Sequence, residues 1–534
     1  MAGAGRRAVR VVDALRIPLP DGRRLAARLW LPAGAEADPV PALIEYIPYR
    51  HRDGTAARDA ALHGPIAAAG YACLRVDIAG SGDSEGLLRD EYTAEELADG
   101  VAVIAWAARQ SWCSGRVGLI GKSWGGFNAL QIAALAPPEL GAVIAVCAST
   151  DRFADDIHYK GGCLLGENFS WGAQMTSYQS RPPDPASFGP HWRRAWLARL
   201  RAMPDFAARW MAHPARDAYW RHGSVCEDWR AIRAPVLAVG GWADNYLATV
   251  TRLVRRLEVP AAGILGPWGH QYPHEAGPGP RIDFHGEVID WLDRWLKGRA
   301  ERPAPPPLRL FRRASHRPAR SQHAQPGAWI AEAAWPPPRS TERLLHLAPG
   351  ALRDAPPAAG PVGLAASPAD AGLAQGRYFP MSGTAGELPG DQREDDARAA
   401  LFDTAPLERP LDLVGEPVLE LRLVPDRPRA QICVRLVELF PDGAGTRLTH
   451  GLLNLCHAAD PARPRALVPG RPLDLRLVLD PLAHRLAAGN RLRLAISTGC
   501  WPLAWPAPEP VRIVLLSGRL ALPVHAGAAA PEWR

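Results

Sequence analysis

Five short apolar runs constrain this chain more than any other feature: PALIEYI (41–47), YACLRVDI (71–78), GRVGLIG (115–121), GAVIAVC (141–147) and PVLAVGG (235–241). Each has the length of a strand and lacks the polar alternation of a half-exposed one, and helix-length segments separate the first four. Strands of that kind need cover on both faces, so they specify a mostly parallel sheet between helices. A sixth run, AAGILG (261–266), follows a helical segment over 246–257. A further helix places Phe284, Val288, Ile289, Leu292, Trp295 and Leu296 on its inward face, and there the sheet domain is expected to close. Residues 8–31 read as a hairpin around Leu19-Pro20-Asp21-Gly22.

The run ending at 147 and the one starting at 235 are separated by roughly 87 residues rich in Trp, Arg and Pro. That is far too long for a plain connection and predicts an inserted helical cap. After Arg302-Pro303-Ala304-Pro305-Pro306-Pro307, a Pro-rich linker, the texture changes. Alternating strands such as VLELRLV (418–424), ICVRLVELF (432–440), LDLRLVL (473–479), RLRLAIS (491–497) and VRIVLL (511–516) predict a β-sandwich or jelly roll. The Ala/Gly/Pro-rich stretch 350–400 reads as a long irregular loop. The expected division is a catalytic α/β domain over 1–150 and 233–300, a cap over 151–232, and an all-β domain over 301–534.

Composition narrows the partners. The net charge of +7 comes from 59 Arg and three Lys interleaved with 55 acids, with no basic arm, so nucleic acid is not an expected partner. No apolar run approaches the ~20 residues that span a bilayer. The start, MAGAGRRAVRVVDALRI, has no apolar core of a signal peptide, so the cytoplasm is the expected compartment. The eight Cys are scattered, without a CxxC pair or zinc-type His spacing, and read as buried reduced thiols.

The sharpest chemical signal is Gly121-Lys122-Ser123-Trp124-Gly125-Gly126, directly after a strand and before a helix that stops at Pro137-Pro138. This is G-x-S-x-G in the context a nucleophile elbow requires, because residues two before and two after the serine crowd one another. Position 116 is Arg, which rules out a phosphate-binding P-loop. Gly80-Ser81-Gly82 lacks the third glycine of a dinucleotide fingerprint at the right spacing, and His274-Glu275 meets Pro278 where a zinc motif needs His. A serine nucleophile needs a base, and the base an orienting carboxylate. In α/β-hydrolases these follow in the order Ser, acid, His on loops after strands. Asp244 in Gly241-Trp242-Ala243-Asp244 and His270 in Gly266-Pro267-Trp268-Gly269-His270 meet both conditions. The oxyanion donors are expected from the Trp124 amide and the loop Ile47-Pro48-Tyr49-Arg50, where the Tyr49 hydroxyl either donates or simply packs.

Pro48-Tyr49, the loop Asp77–Gly86, the elbow, Gly241–Asp244, Gly266–His270, Trp291–Gly298, Phe402–Leu407 and His484–Leu492 together resemble the CocE/NonD family of serine hydrolases. That family includes cocaine esterase, α-amino-acid ester hydrolases and X-prolyl dipeptidyl peptidases. The resemblance covers nearly the whole chain. It implies an α/β-hydrolase domain with an inserted cap followed by a jelly roll, Ser123, Asp244 and His270 as triad, and Tyr49 with Trp124 as the oxyanion hole. Ala79 departs from the family's usual Arg. The implied activity is hydrolysis of an ester or amide of a small acyl substrate through an acyl-enzyme, with X-Pro dipeptidyl peptidase activity as the alternative. No metal or other cofactor is called for, and a homodimer is compatible with the resemblance. Trp171, Trp242 and Tyr246 are the candidate pocket residues. The cap acids Asp151, Asp155, Asp156 and Glu167 either recognise an amino-bearing acyl group or pair with the abundant Arg.

Overall fold

A computed structural model describes residues 6–299 and 303–527. In chain order its first strands are β1 (Val9–Pro18), β2 (Arg24–Pro32), β3 (Val40–Ile47), β4 (Ala72–Asp77), β5 (Cys113–Lys122) and β6 (Leu140–Val146). A two-stranded cap hairpin follows, β7 (Tyr159–Lys160) and β8 (Cys163–Leu164), then β9 (Val236–Gly241), β10 (Ala261–Gly266) and β11 (Leu308–Ala314). The main sheet runs β1-β2-β4-β3-β5-β6-β9-β10. The hairpin β1–β2 joins β4 antiparallel, and every later pairing as far as β10 is parallel.

The helices Ala56–Ala68 and Phe284–Leu296 pack together on one face, Ala94–Ala108 and Trp124–Ala134 on the other. All eight residues of β3 are buried, as a strand covered on both sides should be. Leu292 and Leu296 seat their methyls against Gly118, where an added Cβ would stand 3.1 and 3.2 Å away. The strand order reverses around β3, which pairs with both β4 and β5. Such a switch point leaves a crevice at the carboxyl ends of the strands, where sites form in open α/β sheets.

Two expectations are corrected here. The sheet does not close at the helix Phe284–Leu296: β11 adds to the edge of β10, with Gly263, Ile264 and Leu265 opposite Leu308, Arg309 and Leu310, and then meets His484 and Arg485. One hydrogen-bonded seam therefore runs into the all-β region, which also covers an edge that would otherwise be open. Within that helix Trp291 is buried while Ile289 and Trp295 are only partly so. The stretch 350–400 is not wholly irregular either, since Ala351–Arg353, Gly363–Ala365 and Arg393–Asp396 are strands and a helical turn. The boundary expected at 300–301 lies outside the described residues.

The all-β region is a sandwich. One layer joins Ser340–Ala348, Ile513–His525, Val418–Pro425 and Leu473–Val478; the other joins Ala400–Asp403, Arg491–Ser497, Gln431–Leu439 and Gly445–Asn454. Leu419, Leu421 and Leu423 of the first layer meet Ile432, Val434 and Leu436 of the second in one core. The cap between β6 and β9 is built on the helices Glu167–Gln179, Trp192–Ala202 and Phe206–Met211, with Trp210 and Trp220 fully buried. It leans on the sandwich through Lys160, whose Nζ lies 2.8 Å from both oxygens of Asp480.

Candidate active site

At the end of β5 the chain turns so sharply that Ser123 sits at φ 58°, ψ −123°. A side chain at Gly121 would come within 2.2 Å of the Gly125 backbone, and one at Gly126 within 2.9 Å of the Ala148 Cβ. Glycine at both places is the condition for that turn. Ser123 is partly exposed amid buried neighbours. It precedes the helix Trp124–Ala134, whose first N–H groups have no partner inside the helix and point at developing negative charge.

Asp244 follows β9, where its amide bonds to the Gly241 carbonyl. One carboxylate oxygen accepts from the Tyr246 amide at 3.2 Å and the other lies 3.2 Å from Nδ1 of His270. Burial alone would raise this carboxyl; His270, the Cys147 thiol and the Tyr246 amide together hold it below the usual value, so it is ionised. His270 follows β10. Its amide bonds to the carbonyl of Pro380 at 2.8 Å, and its own carbonyl accepts from Lys122 at 3.1 Å.

Tyr49 follows β3, and its hydroxyl lies beside Ser123. Burial first, then Glu91, pushes this phenol well above its ordinary value, so it stays a proton donor. Its ring is flanked by Trp124 (6.4 Å), Trp171 (6.2 Å) and Tyr178 (5.6 Å). The Trp124 indole donates to Glu96 at 2.6 Å, and Asn128 donates to the same oxygen at 2.9 Å. The other oxygen of Glu96 has no partner. Burial outweighs these bonds and lifts the Glu96 carboxyl to about 7.

Of the three candidate pocket residues, the structure brings two to the serine. Trp171 closes on Tyr49 and Trp124 and donates to Glu91 at 2.6 Å. Tyr246 stands 5.7 Å from the His270 ring and donates to Asp156 at 2.8 Å. Trp242 is corrected: its indole bonds to the Phe311 carbonyl at 2.6 Å and lines a separate cavity behind Asp244. The cap acids are largely consumed by arginines, Asp151 by Arg216 and Asp155 by Arg252. Asp156 is different. It is fully buried, one oxygen has no partner, and burial lifts it to about 6.

Sequence reasoning missed Phe379, Glu91, Glu96 and Cys147. Phe379 packs 4.7 Å from both His270 and Tyr246, delivered by the stretch read as loop. Glu91 accepts from His158 and Trp171. Neither position carries a local signal; each matters only through long-range packing. Cys147, Asp244 and His270 could offer metal ligands within 4.8 Å of one another. The thiol, however, is pushed well above its usual range, by burial first and then by Asp244, whereas a metal needs the thiolate.

The family model for X-Pro dipeptidyl-peptidase (S15 family) matches residues 21–272, and that for the X-Pro dipeptidyl-peptidase C-terminal non-catalytic domain matches 304–530. Cocaine esterase of a Rhodococcus species is 23% identical, covering 92% of this chain and 91% of its own. A Mycobacterium tuberculosis protein named as a serine esterase is 26% identical over 90% of this chain and 89% of its own. Among solved structures, an α-amino acid ester hydrolase superposes with TM-score 0.77 at 20% identity, covering 98% of both chains. An aminopeptidase from a Thaumarchaeota archaeon gives 0.76 at 19%, over 98% and 97%. Matched in both its halves, and similar in sequence and fold along nearly all its length, the chain belongs to the CocE/NonD-like serine hydrolases, enzymes that act on ester or amide bonds.

Proposed function

We propose that Ser123, His270 and Asp244 form the catalytic triad, with the Tyr49 hydroxyl and the Trp124 amide as oxyanion donors, and that the substrate is a small ester or amide with an apolar or aromatic acyl group. The observation that carries this reading is the strained Ser123 elbow, with the Tyr49 hydroxyl beside the serine and His270 backed by an ionised Asp244. His270 takes the serine proton as Oγ attacks the carbonyl carbon; Asp244 stabilises the imidazolium; the two donors receive the oxyanion. The imidazolium returns its proton to the leaving group, and a water activated by the same histidine then releases the acid. Trp171, Tyr246 and Phe379 supply the aromatic wall that favours a flat acyl group.

A second reading has its own support. The unpartnered oxygen of Asp156 would pair with a free substrate amino group, as an X-Pro dipeptidyl peptidase requires, and the S15 model matches the catalytic half. Hydrolysis of para-nitrophenyl acetate and butyrate, phenylglycine methyl ester and Gly-Pro para-nitroanilide, by wild type beside Ser123→Ala, decides between them. The esterase reading expects turnover of the esters and a loss on the order of 10³-fold or more in the variant. Preference for the anilide would favour the peptidase, and equal rates for wild type and variant would remove Ser123 from the chemistry.

The division of the chain at 150, 233 and 301, a cytoplasmic setting and assembly as a homodimer belong to the same reading. Eight free cysteines, six of them buried, support a reducing compartment. Among the described residues no helix is long and apolar enough to cross a membrane. Light scattering would find twice the chain mass of 57.7 kDa for the dimer.

A further inference from the structure

Behind the catalytic loop, walled in part by Asp244 but not by Ser123 or His270, lies a cavity of about 50 Å³. Its walls come from both halves of the molecule: Trp242 and Asn245 from the loop after β9, Arg313 from β11, and Arg447 and His450 from the sandwich strand Gly445–Asn454. The volume is enough for about three to five water-sized atoms, which is also the size of a small oxyanion.

The two arginines in its wall are left, among the described residues, without an ion pair. Arg313 is 7% exposed, donates through one nitrogen to the Leu448 carbonyl at 2.9 Å, and leaves Nε without a partner. Arg447 reaches only the carbonyl and amide oxygens of Gln375, at 3.1 and 3.2 Å. Among the described residues neither guanidinium is in an ion pair. Two carboxylates also line the cavity, each already engaged: Asp480 is held at 2.8 Å by Lys160, with His450 Nδ1 3.5 Å away, and Asp244 is committed to His270. His450 is buried with Nε2 unpartnered, and Gln325 has an unpartnered amide oxygen. Buried charges without a counter-charge cost several kcal/mol each. The arginines register this: burial, and then the proximity of Arg447, brings Arg313 down to about 10, and burial lowers Arg447 as well. Burial likewise keeps His450 neutral, reinforced by Arg447 and Lys160, so it adds no charge of either sign.

We propose that this cavity is a binding site for a small oxyanion, a sulfate, phosphate or short carboxylate, clasped between the guanidinium groups of Arg313 and Arg447. Guanidinium forks match such ions in shape as well as charge. A bound anion would tie the sandwich to the loop that carries Asp244, so occupancy reports on the junction rather than on the acyl pocket.

The test uses the full-length protein and three sodium salts, sulfate, phosphate and acetate, each against chloride at matched ionic strength. Melting temperature is followed from 0 to tens of millimolar for wild type, Arg447→Gln and Arg313→Met. Sulfate stabilises most proteins by exclusion, so the decisive quantity is the difference between wild type and variant. The expected result is a saturable rise of roughly 1–3 °C in wild type that is absent in Arg447→Gln, which removes one guanidinium and keeps an amide that can still bond Gln375. If Arg313→Met does not fold, Arg447→Gln alone carries the comparison. The three salts separate tetrahedral from carboxylate ligands. In crystals soaked with selenate, an anomalous peak between the two guanidinium groups is expected. A rise equal in wild type and Arg447→Gln for every salt, or density in the cavity that refines only as water, would overturn the proposal.

Discussion

At the scale of single residues, burial raises both the phenol of Tyr49 and the carboxyl of Glu96, with different consequences. Burial keeps Tyr49 protonated and therefore a donor beside Ser123. Tyr49→Phe should lower kcat by about 10²–10³-fold with little change in KM, read by steady-state kinetics on the best ester; an unchanged kcat would return Tyr49 to a packing role. In Glu96 burial raises the folded carboxyl to about 7 from 4.5. The native state then holds a proton that the unfolded chain has lost, so this group's contribution declines as pH rises from about 4.5 to about 7. The decline amounts to about 3 kcal/mol. Glu96→Gln keeps an acceptor for Trp124 and Asn128 but cannot ionise. Its melting temperature relative to wild type should therefore climb by a few degrees between pH 5 and pH 8. A constant offset would mean that Glu96 titrates like an exposed acid.

At the scale of elements, the most consequential segment is 376–390, which crosses from the sandwich to His270. Pro380 fixes the His270 amide and Phe379 covers the ring. Phe379→Ala removes a wall of the pocket and opens the imidazole to water. We expect KM for aromatic esters to rise about tenfold, in line with the ~1–3 kcal/mol that such a contact contributes to binding, while acetate esters change little. Equal losses on both substrates would point instead to displacement of His270. The strands of the main sheet were legible because their continuous apolar character is local: runs such as YACLRVDI are buried on both faces and say so in their composition. The role of Phe379 was not, because nothing in an Ala/Gly/Pro-rich stretch marks the one ring that ends beside a histidine more than a hundred positions earlier.

At the scale of the whole molecule, the seam β10–β11 joins two cores into one body. A chain truncated after residue 299 would expose the β10 edge and the apolar side chains that Leu308 and Leu310 cover, and would lose Phe379 and Pro380 together. Such a fragment is expected to aggregate and to show no esterase activity, checked by size-exclusion chromatography and para-nitrophenyl butyrate assay. A monodisperse, active fragment would show that the sandwich is dispensable. The elbow glycines and the placement of Ser123, Asp244 and His270 after their strands were readable in advance, since strand, turn and helix signals are short-range and the steric demand at Gly121 admits no larger residue. The direction in which Trp242 points, the pairing that consumes Asp151 and Asp155 but spares Asp156, and the uncompensated arginines behind Asp244 were decided only by tertiary structure. Each depends on which side chains from distant positions arrive within a few ångströms, and burial and charge pairing are properties of that meeting rather than of any stretch of chain.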